Sequence, residues 1–289
     1  MRAFFVCSPV GKRHRHDKLN AMKYSRRDLT RLVPAALAAA ATASAEEKKA
    51  LPSKIYAYNE LPVKESGLLA GEKTSTIYEM NGLKFQFDGT SGQKTGAFLD
   101  QRENYAAAAI YAHGDALDVC TYQGGFALHL AASKKVGSVS AVDVSRAALE
   151  VADENGTLNK DVIGKEIEWI EGNAFDLLKD YSSAGKQYDT IVLDPPAFAK
   201  SKKNLETALR GYKEMNLRAL KMLRPGGILV TCSCSFHVSE PEFLGVLASA
   251  AADVHRNVKI LENRGAAKDH PAVATIPETS YLKCITCTV

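Results

Sequence analysis

The sequence predicts an α/β fold, a doubly wound and mainly parallel sheet with a small N-terminal β-hairpin extension. Three observations carry this. From Ala116 onward, short apolar runs alternate with longer amphipathic stretches, the pattern of repeated strand–helix–strand units. The runs Tyr188 to Leu193 and Gly227 to Val230 are β-branched and apolar without alternation, as strands covered on both faces are. Asn81-Gly82 separates two alternating runs, Thr76 to Met80 and Leu83 to Asp88, which is the favoured chemistry of a two-residue hairpin turn.

In chain order, the hairpin is followed by a loop, Gly92-Gln93-Lys94-Thr95-Gly96, and by Phe98-Leu99-Asp100-Gln101-Arg102 entering a helix that runs to about Ala112. Strands are expected at Ala116 to Thr121, Ser138 to Val142, Ile167 to Ile170, Asp189 to Asp194, Gly227 to Cys232, Asn257 to Leu261 and Tyr281 to Thr288. Helices are expected at Gly125 to Ser133, Arg146 to Leu158, Leu205 to Leu223 and Pro241 to Ala251. No internal repeat, coiled coil or membrane span is visible.

The front of the chain differs from the rest. Ser25-Arg26-Arg27-Asp28-Leu29, an apolar stretch from Leu32 to Ala41 and then Ala43-Ser44-Ala45 have the order of a twin-arginine export signal; the plain alternative is an inert basic leader. The apolar stretch is too short to span a bilayer. This gives a leader over 1–45, a polar linker over 46–67 with Pro52 and Pro62, a hairpin and helix extension over 68–112, and a main domain over 113–289.

The formal charge of +4 hides an asymmetry. Residues 1–67 carry 13 Lys and Arg against 6 Asp and Glu, a balance of +7, and the remainder carries −3. A polyanion partner would therefore need a local patch, such as Lys200, Lys202, Lys203, Arg210 and Lys213. Four of the six cysteines lie in strand-like runs, which suits reduced thiols and a reducing compartment. Cys284-x-x-Cys287 has metal-like spacing, but it sits within an expected strand with no second pair, so no metal is expected.

Ligands of open α/β sheets collect at the carboxyl ends of strands. The loop after the first core strand reads Asp118-Val119-Cys120-Thr121-Tyr122-Gln123-Gly124-Gly125-Phe126. A dinucleotide's pyrophosphate needs bare glycine backbone here, and Cys120 and Tyr122 replace the first two glycines. S-adenosylmethionine fits better, having no phosphate and carrying cationic groups that Asp118 can complement. Asp143, 25 residues further on, can accept hydrogen bonds from ribose hydroxyls or cap a helix, a role that Ser145 can fill instead. Asn173 is a candidate for the adenine edge, or a turn residue. Asp194, ending Asp194-Pro195-Pro196-Ala197-Phe198's parent strand, and the Thr231-Cys232-Ser233-Cys234 run bring an acid and a thiol to one crevice.

With these residues the chain resembles the bacterial large-subunit ribosomal RNA cytosine-5 methyltransferases of the class I S-adenosylmethionine-dependent superfamily, which have a Rossmann-like sheet. The resemblance covers roughly residues 68–289. It is carried by Gly92 to Gly96 with Phe98 to Arg102, Asp118 to Phe126, Val142-Asp143, Asp194 to Phe198, Arg210-Gly211-Tyr212-Lys213 with Asn216, Ser233-Cys234-Ser235, Asp269-His270-Pro271, and Pro277-Glu278 with Tyr281-Leu282-Lys283. The family's usual N-terminal PUA domain is replaced here by the leader, and Asn173 stands where the family often has Asp.

The resemblance implies methyl transfer from S-adenosylmethionine to C5 of a ribosomal RNA cytosine, in the cytoplasm and away from membranes. That compartment conflicts with the export-like leader. Thiolate addition at C6 would make C5 nucleophilic. The resemblance assigns the nucleophile to Cys234; Cys232 is the runner-up, since a strand places residues two apart on one face. Asp194 would serve the cytosine N3/N4 edge and also face the cofactor. Lys94, Thr95, Tyr122 and Gly124 join Asp118, Asp143 and Asn173 as cofactor residues. Phe198 would stack on an extruded base, or is a core aromatic. Arg102, Arg210 and Lys213 would contact RNA, with a solvated face as the plain alternative. Two other functions fit parts of the pattern. Asp194-Pro195-Pro196-Ala197-Phe198 is similar to the motif of exocyclic-amine methyltransferases, which together with guanine RNA methyltransferases form one alternative, and a catalytically idle RNA-binding fusion product is the other.

Overall fold

A computed structural model describes residues 73–89, 97–199 and 201–289. The expected leader, linker and start of order near Leu68 lie outside these residues, as do Lys94, Thr95 and Lys200.

The hairpin forms as its turn chemistry demands. Strands β1 (Ser75–Met80) and β2 (Leu83–Asp88) pair antiparallel, with Met80 opposite Leu83. Asn81 and Gly82 take φ of 54° and 79°, the left-handed pair that a type I′ turn requires. The exposed edge of β2 is satisfied by side chains from a helical segment. Lys84 N donates to Asn159 Oδ1 and Gln86 N to Asn155 Oδ1, both at 2.8 Å, so strand donors that would face water find acceptors. Met80, Leu83 and Phe85 bury against the body.

The main sheet comprises β3 (Gly114–Val119), β4 (Val136–Asp143), β5 (Ile167–Glu171), β6 (Tyr188–Leu193), β7 (Leu223–Ser233), β8 (Lys259–Arg264) and β9 (Lys283–Thr288). Their spatial order is β5-β4-β3-β6-β7-β9-β8. The first five of these are parallel, and β9 runs antiparallel between β7 and β8. The chain winds outward from β3 in one direction and then from β6 in the other, which leaves a crevice at the carboxyl ends of β3 and β6.

The helices are α1 (Arg102–Tyr111), α2 (Gly125–Ala132), α3 (Arg146–Leu158), the short α4 (Lys160–Ile163), α5 (Ala174–Ser183), α6 (Leu205–Met222) and α7 (Glu240–Asp253). Strand alternation sorts the core into two layers. Leu117, Val119, Ile191, Leu193 and Leu229 pack with Leu178, Tyr212, Leu220 and Phe243 of α5, α6 and α7. Ala116, Val192, Val230 and Cys232 pack on the opposite face with Tyr105, Phe126, Leu128 and the hairpin. Among the described residues no helix is long and apolar enough to cross a membrane.

Three elements differ from expectation, the short α4 being one that the sequence pattern does not show. Helix α5 is absent from the sequence reading because Gly172-Asn173 looks like a turn. Asn173 is instead the N-cap, its Oδ1 accepting from Phe175 N at 2.9 Å, and Ala174, Leu177, Leu178 and Tyr181, at helical spacing, pack against the core. Strand β8 sits further along than Asn257 to Leu261, because it is an exposed edge whose limits are set by pairing to Cys284–Thr288 and not by its apolar run.

Candidate functional site

The crevice encloses about 510 Å³ and is lined from every segment that meets the carboxyl ends of the parallel strands. Its cofactor-side wall begins with the loop after β3. Cys120 and Tyr122 take φ of 65° and 52°, and Gly124, the N-cap of α2, takes 83°. The two side-chain-bearing residues thus hold a left-handed backbone that costs about 1–2 kcal/mol each. What retains it is a set of short bonds. Thr121 N donates to Val142 O at 2.9 Å, Tyr122 N to Asp143 Oδ2 at 2.8 Å, and Thr121 Oγ1 to Asp118 Oδ2 at 2.6 Å. Gly125 follows, and a Cβ there would lie 2.5 Å from the Tyr105 ring, so the tight approach of α1 to this loop requires glycine.

The structure separates the two acids of this wall. Asp143 lines the crevice, with Oδ1 accepting from Ser145 N at 2.9 Å and Oδ2 from Tyr122 N. The capping of α3 falls to Ser145, whose Oγ accepts from Ala148 N. Asp118 does not line the crevice. It is fully buried behind the loop, Oδ2 accepting from Thr121 Oγ1 and from Ala127 N at 2.9 Å, while Oδ1 has no hydrogen-bond partner. Burial pushes its carboxyl up to about 7 despite those bonds. Complementing a cofactor cation directly is therefore not what its position provides; a strand residue facing the α1/α2 layer points inward, and Asp118 holds the loop's shape. Tyr122 and Asn173 line the crevice, although Asn173 Oδ1 is committed to its cap.

The opposite wall carries the acid and the thiol. Asp194 and Cys234 both line the crevice, and Cys234 Sγ lies 3.9 Å from the Pro195 carbonyl oxygen. Asp194 Oδ1 accepts from Gln101 Nε2 at 3.0 Å. The direction of that bond is fixed from a distance. Arg264 can only donate, and its Nε does so to Asn104 Oδ1 at 3.1 Å; Asn104 Nδ2 then donates to Gln101 Oε1 at 2.7 Å and to Gly265 O at 3.0 Å. Gln101 must consequently present its amide hydrogens to Asp194.

Cys232 is elsewhere. It is wholly buried in the α1/α2 layer, opposite Cys284 in the β7/β9 register, and burial followed by the neighbouring Cys284 raises its thiol well above the usual range. The two-residue strand repeat does not carry over to Cys234, because β7 ends at Ser233 and the chain turns out of the sheet. The loop over Asp194 to Ala199 is fastened to this turn: Ala199 N donates to Ser235 Oγ at 3.1 Å, and Ser235 Oγ and Tyr212 Oη lie 2.9 Å apart. Phe198 lines the crevice with its ring centroid 4.6 Å from Tyr212 and 5.7 Å from Phe175, so it serves the core and the crevice together.

Arg102, Arg210 and Lys213 do not line the crevice. Arg102 pairs with Asp269 at 3.2 Å, Arg210 with Glu206 at 2.8 Å and Lys213 with Asp253 at 2.8 Å. Residues that sequence reasoning left without a role include Gln101, Asp100, Ser235 and Lys283. Asp100 is buried and accepts from Tyr281 Oη at 2.5 Å. Lys283 carried a signal, being a charge inside an otherwise apolar strand; the others carried none beyond their motifs.

The lining also tests which cofactor fits. Among the described residues it includes Asp100, Asp143 and Asp194 and no lysine, arginine or histidine. Such a surface repels a pyrophosphate and suits a ligand with a sulfonium and an ammonium, while Val142, Val144, Val151 and Phe175 offer apolar surface to an adenine. Asp143, Tyr122 and the crevice face of the Cys120–Gln123 run are the residues that would hold S-adenosylmethionine; Gly124 does not line the crevice and instead caps α2.

Comparisons with known proteins give the family and the fold. A family model described as S-adenosylmethionine-dependent methyltransferase matches residues 11–279. The chain is 43% identical over 220 residues to a Ribosomal RNA large subunit methyltransferase I of Shewanella frigidimarina, covering 75% of this chain and 55% of that protein. It is 40% identical over 228 residues to the protein of that name from Vibrio parahaemolyticus, covering 78% and 57%. The chain thus spans a little over half the length of these relatives. Among solved structures, SMU.776 complexed with SAH superposes with a TM-score of 0.67 at 19% identity, covering 78% of this chain and 59% of that one. Trm5b from Pyrococcus abyssi superposes with a TM-score of 0.56 at 20% identity, covering 81% and 62%. Both share the α/β Rossmann-like sheet. On its sequence and its fold, the chain belongs to the S-adenosylmethionine-dependent methyltransferase family.

Proposed function

We propose that this chain transfers a methyl group from S-adenosylmethionine to C5 of a cytosine in large-subunit ribosomal RNA, with Cys234 as the nucleophile. The observation that carries the reading is the placement of an accessible thiol and a carboxylate, Cys234 and Asp194, on one wall of the crevice whose other wall suits the cofactor. The relatives' name supplies the substrate class. Assembling ribosomes and the cofactor share the cytoplasm, and we place the chain there.

C5 of cytosine is a weak nucleophile. Addition of the Cys234 thiolate to C6 forms a C–S bond and moves the ring's electron pair to N3, which takes a proton from the acid form of Asp194 at the N3/N4 edge. C5 is then an enamine carbon. The bound cofactor supplies an electrophilic methyl group. Water in the crevice takes the C5 proton, the C5–C6 double bond re-forms as the thiolate is expelled, and N3 returns its proton to Asp194, so that Cys234 and Asp194 regain their starting states. Gln101 holds Asp194 by Oδ1. Pro195 and Pro196 lack N–H donors and stiffen the loop, and Phe198 offers a ring to an extruded base. Lys202 and Lys203, exposed just beyond this loop, give phosphates a first contact. The surface pairs of Arg210 and Lys213 are weak enough to be exchanged for phosphate.

The test is nucleoside mass spectrometry of large-subunit ribosomal RNA after incubation with the full chain and isotopically labelled cofactor. Label in 5-methylcytosine supports the reading; label in an N-methylated base or no label overturns it.

A further inference from the structure

We propose that Lys283 is a positioning residue for the nucleophile, its buried ammonium held beside Cys234 to favour the thiolate; the inference rests on the assignment of Cys234 above. Lys283 opens β9 opposite Ser233, the last residue of β7, and is only 5% exposed. Its Nζ donates to Ser235 O at 2.7 Å and to Tyr281 O at 2.8 Å. Two of three ammonium hydrogens are thereby fixed on backbone carbonyls, one of them belonging to the residue after Cys234. Among the described residues no carboxylate lies within ion-pair distance of this ammonium. A buried cation without a counter-ion is costly, and here the cost is visible: burial lowers its pKa to about 8.

The groups that face this ammonium are few. Cys234, one residue past the end of β7, exerts the strongest charge influence on it, and Glu242 and Glu240 exert a weaker one from α7. Both glutamates are engaged in other bonds. Glu242 closes the capping box of α7 with Ser239 N and Oγ, and Glu240 Oε1 accepts from Asn263 Nδ2 at 2.5 Å. Tyr212 faces Cys234 from α6 and is held neutral by burial, its hydroxyl raised above the usual range. Cys234 thus interacts most strongly with this ammonium, and its thiol donates to Pro195 O at 3.9 Å, a long contact that ionisation gives up at little cost. A cation at such a site lowers a thiol's pKa by stabilising its charged form. When the thiolate adds to C6 its charge moves into the ring, and when it is expelled the ammonium receives it again; Lys283 gives up no proton in either step.

The experiment measures the thiol itself, on the full chain and without RNA. The rate of iodoacetamide alkylation of the Cys234 peptide is followed by mass spectrometry as a function of pH. In wild type the midpoint is expected below the ordinary thiol value of about 8.5. Lys283→Gln keeps hydrogen-bond donors but removes the charge, and should raise the midpoint by about one pH unit or more, a roughly tenfold loss of thiolate near neutrality. Lys283→Arg should keep it low. A wild-type midpoint at or above 8.5, or an unchanged midpoint in Lys283→Gln, overturns the proposal. The wild-type measurement decides even if the variants fail to fold. Failure of the C5 reading is separately visible, since a low midpoint in wild type together with no 5-methylcytosine in RNA would leave the thiolate device standing and remove its assigned use.

Discussion

The two walls of the crevice are held together by different kinds of contact. On the cofactor side, acids and an amide pin nearby backbone: Asp118 to Ala127 N across 9 residues, Asp143 to Ser145 N across 2 and to Tyr122 N across 21, and Asn173 to Phe175 N across 2. On the base side, side chains are oriented across the whole chain: Gln101 to Asp194 over 93 residues, Arg264 to Asn104 over 160, and Lys283 to Ser235 O over 48. The cofactor wall can therefore form with its own strand–helix units. The base wall exists only once α1, β8 and β9 have closed onto β6 and β7.

If the walls are chemically distinct, substitutions should separate binding from chemistry. Asp194→Asn removes the acid from the N3/N4 edge and should lower kcat by about 10²-fold or more, with little change in cofactor affinity; single-turnover transfer and calorimetry measure the two. Comparable loss in both would merge the walls. On the cofactor side, Asp118 predicts a pH effect on stability. Its folded carboxyl titrates near 7 and its unfolded one near 3.8. Between those values the folded state retains a proton that the unfolded state has lost. Stability from this group is thus greatest at low pH and falls as pH rises through that window, by on the order of a few kcal/mol. Denaturant titrations from pH 4 to 8 should show a steeper decline in wild type than in Asp118→Asn, and parallel curves would show that the buried carboxyl is not the cause.

Asp143→Ala should weaken S-adenosylmethionine binding by about 1–3 kcal/mol, the worth of charge-assisted hydrogen bonds, and leave the alkylation rate of Cys234 unaltered. A variant that binds normally would remove Asp143 from the cofactor wall. The smallest effect belongs to Gln101. Gln101→Met should lower kcat about tenfold with the cofactor dissociation constant unchanged, a loss of roughly 1.4 kcal/mol. Gln101→Glu should be worse despite its matching shape, because a carboxylate offers Asp194 no donor. Equal activity of these two variants would mean that Gln101 only fills space.

The same division explains what could be read from the sequence. The loop Asp118 to Phe126, Asp143 with Ser145, and the Asn81-Gly82 turn are local patterns whose partners lie within a few residues or one strand–helix unit, and the sheet's alternation follows from runs of neighbouring residues. Even there Asp118 was placed on the crevice, because the loop's sequence does not show which face of β3 it occupies. Gln101 could not be seen as the partner of Asp194, nor Cys232 as buried away from the crevice, since both depend on how distant segments meet and on where β7 ends. Asn173 reads as an adenine-edge or turn residue, and the cap it makes hides helix α5.

The claim on which the rest depends is that Cys234 attacks the base. RNA carrying 5-fluorocytosine at the methylated position tests it directly, because fluorine cannot leave as a proton and the enzyme remains bonded to C6 after transfer. Wild type and Cys232→Ala should form a denaturation-resistant complex whose cross-linked peptide contains Cys234, and Cys234→Ala should form none while still binding S-adenosylmethionine. A complex in Cys234→Ala, or methyl transfer that survives in that variant, would contradict the account.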